Sequence, residues 1–141
     1  MKTLVKYLFY LSIFLFIISL TQKTFCLEPA NCEDTLPGYF LIVIGILGIV
    51  FGGACLCWLA NPFILVAWLS FKNIKISFFF SLLAVIGSGS FLLFKEMIAN
   101  EGGTYSKIIH YHAGYWFWLS SMLIMLIANI IRLYLTKNRN K

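Results

Sequence analysis

The stretch YFLIVIGILGIVFGGACLCWLANPFILVAWLSF, residues 39–71, runs for 33 residues without one charged side chain. At about 1.5 Å per residue it is too long for a single upright helix through a hydrocarbon core of ~30 Å. It has to break somewhere. Asn61-Pro62 is the break signal, because the residue before a proline is pushed out of the α region. The stretch is therefore predicted to hold a span over 39–60 and a short interfacial helix over 62–71, with Trp58 and Trp68 at headgroup level. A single span kinked at Pro62 and turned through the interface is the alternative.

Three other uncharged apolar runs flank it: Tyr7–Leu20, Ile76–Phe94 and Ala113–Ile131. The first extends to Leu4 if Lys6 snorkels, and the last to Leu135 if Arg132 does. The twelve Leu, Ile, Phe and Val residues of Ile76–Phe94 contribute roughly −4 to −7 kcal/mol to insertion. The fold class expected is an all-α membrane protein: one polytopic domain, a four-transmembrane-helix bundle with a short interfacial helix after the second span. Its spans are placed at about 4–20, 39–60, 76–94 and 113–135. Exterior loops cover 21–38 and 95–112, a cytoplasmic segment covers 61–75, and the tail covers 136–141. The first run also reads as a signal peptide. Thr24 and Phe25 before Cys26 make a poor cleavage or lipoprotein site, so an uncleaved signal anchor is expected.

Composition agrees with this reading. Of 141 residues, 61% are hydrophobic and 11% charged, whereas soluble domains carry about 25% charged residues. A soluble domain this small could not bury so much apolar surface. The formal charge of +6 does not point to nucleic acid, since the basic residues are scattered with no basic stripe or reading motif.

Charge also sets the expected threading. The N-terminus, the 72–75 loop and the C-terminal tail hold eight basic residues (Lys2, Lys6, Lys72, Lys75, Arg132, Lys137, Arg139, Lys141) and no acidic one. Residues 21–38 and 95–112 hold three basic residues and all five acidic ones. Short Lys- and Arg-rich segments stay cytoplasmic. Both termini are thus expected in the cytoplasm, in a bacterial inner membrane.

Lipid gives helices no hydrophobic reason to associate, so close packing relies on small residues. Gly45, Gly48, Gly52 and Cys55 form one stripe of the second span. Ser77, Ser81, Ala84 and Ser88 form one on the third. The two stripes are expected to pack against each other, with a homodimer seam through Gly48 and Gly52 as the alternative.

Candidate chemistry is sparse. Cys26 and Cys32 lie in the first exterior loop and can close a small disulfide ring. Their spacing is not the CxxC of thiol oxidoreductases. Cys55 and Cys57 are read as small buried hydrophobes. His110 and His112 are weak metal candidates, with Glu101 as a conceivable third ligand, because zinc sites need three or four ligands and the pair shares a face only if extended. The expectation is no metal, no cofactor and no catalytic residue. Tyr115, Trp116 and Trp118 instead anchor the fourth span as an aromatic belt, with Tyr105, Tyr111 and His112 beside them. No ionisable Asp, Glu or His lies in the middle of a span, which argues against a proton-coupled transporter. Asn129 is expected to hydrogen-bond to Ser120, Ser121 or a neighbouring serine.

The function expected is that of a non-enzymatic membrane protein acting through helix–helix contacts: an accessory subunit, assembly factor or immunity-type protein. Its partners would be the lipid bilayer and another membrane protein or further copies of itself. An oligomeric small transporter or pore is the alternative, and a membrane thiol redox protein using Cys26 and Cys32 a second.

Overall fold

The computed structural model describes residues 2–28, 37–98 and 104–139. Among them the chain is mostly helical. The helices are α1 (Lys2–Thr21), α2 (Gly38–Gly48), α3 (Ala60–Leu69), α4 (Ile74–Ser90) and α5 (Ala113–Arg139). Three short strands, β1 (Phe25–Leu27), β2 (Glu96–Ile98) and β3 (Tyr105–Tyr111), lie between them. Three helical segments are long and apolar enough to cross a membrane: Thr3–Thr21, Ile74–Leu93 and Ala113–Asn138.

Local chemistry explains several boundaries. The α1 segment contains neither Gly nor Pro. At its end Thr21 Oγ1 donates back to the Ile18 carbonyl at 2.8 Å, so the side chain uses an acceptor of the last turn. The start of α4 is capped by Asn73, whose side chain accepts from the Ile76 N–H at 3.4 Å. That satisfies one of the orphan donors of a helix N-terminus.

Residues 39–71 break elsewhere than expected. The chain is helical through Asn61 and Pro62. It turns instead at Gly52 and Gly53, where φ is +69° and +58°. At Gly52 ψ is −157°, a region essentially reserved for glycine. Two residues without a Cβ adopt positive φ at little steric cost, whereas proline fits near the start of an α-helix. Gly53–Leu59 is a 3₁₀ segment that leads directly into α3. Pro62 has no N–H to offer the Trp58 carbonyl, which is consistent with the tighter i→i+3 pattern just before it. The segment expected as a separate helix over 62–71 is thus continuous with the residues before it, and with Ile64 and Ala67 fully buried it is one wall of the bundle.

The stretch 39–60 is not one helix either. Gly38 N–H donates to the Gln22 carbonyl at 3.0 Å, and Trp58 Nε1–H donates to the Ile42 carbonyl at 3.0 Å. Gly48 faces Cys55. All these partners lie at one end of the bundle, so α2 runs across that end.

The bundle closes on itself. The helix α5 packs along α1 and α4, and α4 packs antiparallel to α3. Trp68 on α3 reaches Ser12 on α1 at 3.1 Å. Phe16, Ala60, Ile64, Ala67, Ala84, Met122 and Met125 form the core. One end carries a three-stranded antiparallel sheet in the order β1-β3-β2. Phe25 pairs with Tyr111, Cys26 with His110, and Glu96 with Lys107. The segments expected as exterior loops, 21–38 and 95–112, are thus joined partly as a sheet. No local pattern announces pairing between strands some eighty residues apart; it forms because α1 ends where α5 begins.

Candidate functional site

Two polar or aromatic assemblies occupy the interior. The first lies between α3, α4 and α5. Asn129, fully buried, donates through Nδ2 to Ser77 Oγ at 3.0 Å and Ser81 Oγ at 3.1 Å. Its Oδ1 accepts from Arg132 Nη1 at 3.2 Å. Ser77 in turn donates to the Ala67 carbonyl at 2.8 Å. Arg132 lies over the Phe71 ring, 4.1 Å from its centroid, a cation–π arrangement. The partners of Asn129 are thus on α4 and one turn along α5 rather than at Ser120 or Ser121. Ser121 contributes its carbonyl to Ser12 at 2.8 Å, while its own Oγ is buried without a partner.

The second assembly lies under the sheet. Ala54, Cys57, Phe91 and Tyr115 are buried there, with Phe25, Phe94, Met97, Ile108 and Tyr111 packed on them. Tyr111 and Tyr115 have ring centroids 4.9 Å apart. Tyr115 Oη donates to the Ser88 carbonyl at 2.9 Å. Burial, with Cys57 nearby, pushes the Tyr111 phenol above its ordinary pKa. Beside this cluster is a cleft of about 340 Å³ lined by Gly53, Leu56, Cys57, Gly87, Ser90, Leu93 and Phe94. Its two polar side chains, Cys57 and Ser90, face each other at 3.4 Å.

The residues singled out from the sequence are distributed as follows. Ser77, Ser81, Ala84 and Ser88 are the buried residues of α4. They do not meet a glycine stripe. They face α3 and α5, with Gly87 Cβ space closed by Ala60 and Ser77 bonded to Ala67 and Asn129. Gly45 and Gly48 pack instead on Trp58 and Cys55 of their own folded-back segment. The expected stripe cannot exist, because the chain reverses at Gly52.

The tryptophans expected at headgroup level, Trp58 and Trp68, are half-buried. Trp58 and Trp68 use their indole N–H groups on Ile42 and Ser12, and Trp118 donates to Asn61 Oδ1 at 2.8 Å. Tyr115 is 2% exposed and so is part of the core, whereas Trp116 is 48% exposed.

Cys26 is disulfide-bonded and fully buried; Cys32 lies outside the described residues, as does Glu101. Cys55 and Cys57 are free thiols. His110 and His112 come together, ring centroids 4.9 Å apart. No group of three His, Cys, Asp or Glu that could hold a metal ion occurs among the described residues. The part-buried Asn61–Trp118 bond is one feature sequence reading missed, and only its residue types, amide and indole in apolar runs, hinted at it.

No protein-family model matches the chain, and neither a curated protein nor a solved structure resembles it significantly.

Proposed function

We propose that this is a small integral membrane protein with four crossings that acts non-enzymatically, through contacts its outer surface makes with another membrane protein. Three crossings are α1, α4 extended to Leu93, and α5. The fourth is the rod Gly53–Leu69 in place of 39–60. Seven 3₁₀ residues rising about 2.0 Å and ten α residues rising about 1.5 Å give it a length of roughly 29 Å, matched to a ~30 Å hydrocarbon core. The helix α2, about 16 Å long, stays in the interface at the sheet end.

Threading follows from charge. The start of α1, the turn after α3 and the end of α5 meet at one end of the bundle, where Phe71 contacts both Phe9 and Arg132. Lys6, Lys72, Lys75, Arg132 and Lys137 belong to that end. The positive-inside tendency places it in the cytoplasm, and in a bacterium that membrane is the inner one. The disulfide at Cys26 supports an oxidising compartment at the sheet end.

The observation that carries the non-enzymatic reading is that the interior polar side chains, Ser121 Oγ apart, are hydrogen-bonded within the protein. Ser12, Ser77, Ser81, Asn129, Asn61, Trp68 and Trp118 direct their hydrogen bonds at one another or at backbone. In the cleft beside Phe91, Ser90 already donates to the Gly87 carbonyl at 2.9 Å and Cys57 faces it. Side chains arranged this way lock helices together. An accessory subunit, an assembly factor or an immunity-type protein fits that description.

Photoreactive side chains at Val43 and Leu47, both exposed on α2, test it in intact membranes. One recurrent protein adduct, with that protein also co-purifying with the unmodified chain, is the expected result. Adducts with lipid alone, or only with further copies of the chain, would overturn the accessory reading.

A further inference from the structure

We propose that His110 and His112 form a two-imidazole chelate for a late first-row divalent ion, Cu(II) or Zn(II), at the sheet end. The backbone supplies the geometry. Side chains two apart on an extended strand share a face. Strand β3 runs to Tyr111, and the His112 N–H donates to the Thr24 carbonyl at 2.8 Å, which carries the extended pairing one residue further. The two rings meet edge to face, 4.9 Å between centroids and 71° between planes.

That separation is compatible with a chelate. With metal–nitrogen bonds of about 2.1 Å and ~1.1 Å from ring centre to nitrogen, two adjacent imidazoles on a tetrahedral ion have centres about 5 Å apart. A second, independent observation points the same way. His112 Nε2 is buried and has no hydrogen-bond partner. Such an orphan is costly, and the usual resolution is a water or an ion at the site.

The neighbourhood restricts the ligand. Imidazole suits Cu, Zn and Ni over Mg or Ca, and Cu(II) binds tightest in that series. Cys26, which pairs with His110 across the strands, is disulfide-bonded and offers no thiolate. Two protein nitrogens leave coordination positions unfilled, unlike a closed four-ligand structural site, and with His112 Nε2 buried these can open to solvent only on the His110 side. His110 is exposed and provides the entry.

The test uses the full chain in detergent, with any affinity tag removed. Cu(II) is titrated and followed by calorimetry and electron paramagnetic resonance. One equivalent is expected, with hyperfine splitting from two imidazole nitrogens and competition by Zn(II). H110Q, at an exposed position, and H112Q should each weaken binding by at least about ten-fold, with helical circular dichroism unchanged. Wild-type binding no tighter than that of the doubly substituted chain, or full affinity in H110Q, would overturn the site and leave the orphan nitrogen to a water.

Discussion

Trp118 on α5 and Asn61 on α3 are joined by a 2.8 Å hydrogen bond from indole N–H to side-chain carbonyl. Asn61 is 6% exposed, so a residue preceding proline, which by itself predicts a helix end, is a buried acceptor in a continuous helical segment. The bond ties the wall made by α3 to α5 across the core. Trp118→Phe leaves the Asn61 amide oxygen without its donor, while Asn61→Leu removes the acceptor and leaves the indole N–H without its partner. A double-mutant cycle on the two should return a coupling of about 0.6 kcal/mol, the average for hydrogen bonds between helices in bilayers, and no more than about 1.7 kcal/mol. Reversible unfolding in bicelles measures it; additivity of the two single changes would contradict the pairing.

Asn129 should be the most sensitive polar position. Asn129→Leu strips the donors from Ser77 and Ser81 and the acceptor from Arg132. Several modest bonds are lost together, and a loss of about 1–3 kcal/mol in unfolding free energy is expected. Asn129→Gln retains the amide chemistry but adds a methylene to a packed core, so it should fall between wild type and leucine.

Two glycine substitutions should move stability in opposite directions. A Cβ on Gly45 would run into the Trp58 indole, so Gly45→Ala displaces that ring and breaks its bond to Ile42. A Cβ on Gly89 meets nothing within 4 Å. Gly89→Ala inside α4 should therefore stabilise by up to about 1 kcal/mol through helix propensity. Paired thermal or denaturant unfolding curves decide the matter.

The place where 39–71 reverses can be read by labelling. Cysteine at Val50, which is 88% exposed, should react with a membrane-impermeant maleimide from the same side as cysteine at Ser106. Cysteine at Asn73 should react only from the other side. A label at Val50 protected from both faces would restore the second span to 39–60. At Gly52 itself, alanine should cost about 1–3 kcal/mol because of the positive φ.

Removal of the disulfide should lower stability without abolishing a reaction. With Cys55 and Cys57 free, Cys32 is the expected mate of Cys26. Cys26→Ser and Cys32→Ser should then each cost about 2 kcal/mol for a ring this short. Cellular thiol oxidation should be unaffected. Lost oxidation with intact folding would instead revive the redox reading.

The sequence by itself determined the helical class, the apolar runs behind α1, α4 and α5, and the gathering of basic residues toward one end. Those properties are summed over many residues in a row, and composition or spacing suffices to read them. It also marked Ser77, Ser81, Ala84 and Ser88 as one face of α4, because a helix imposes its own period. Tertiary structure alone decided what that face meets, where 39–71 turns back, and that Phe25–Leu27, Glu96–Ile98 and Tyr105–Tyr111 pair. Both Asn61-Pro62 and Gly52-Gly53 are legitimate local break signals. The choice between them lies in contacts such as Trp58 with Gly45 and Trp118 with Asn61, made between residues that no local pattern connects.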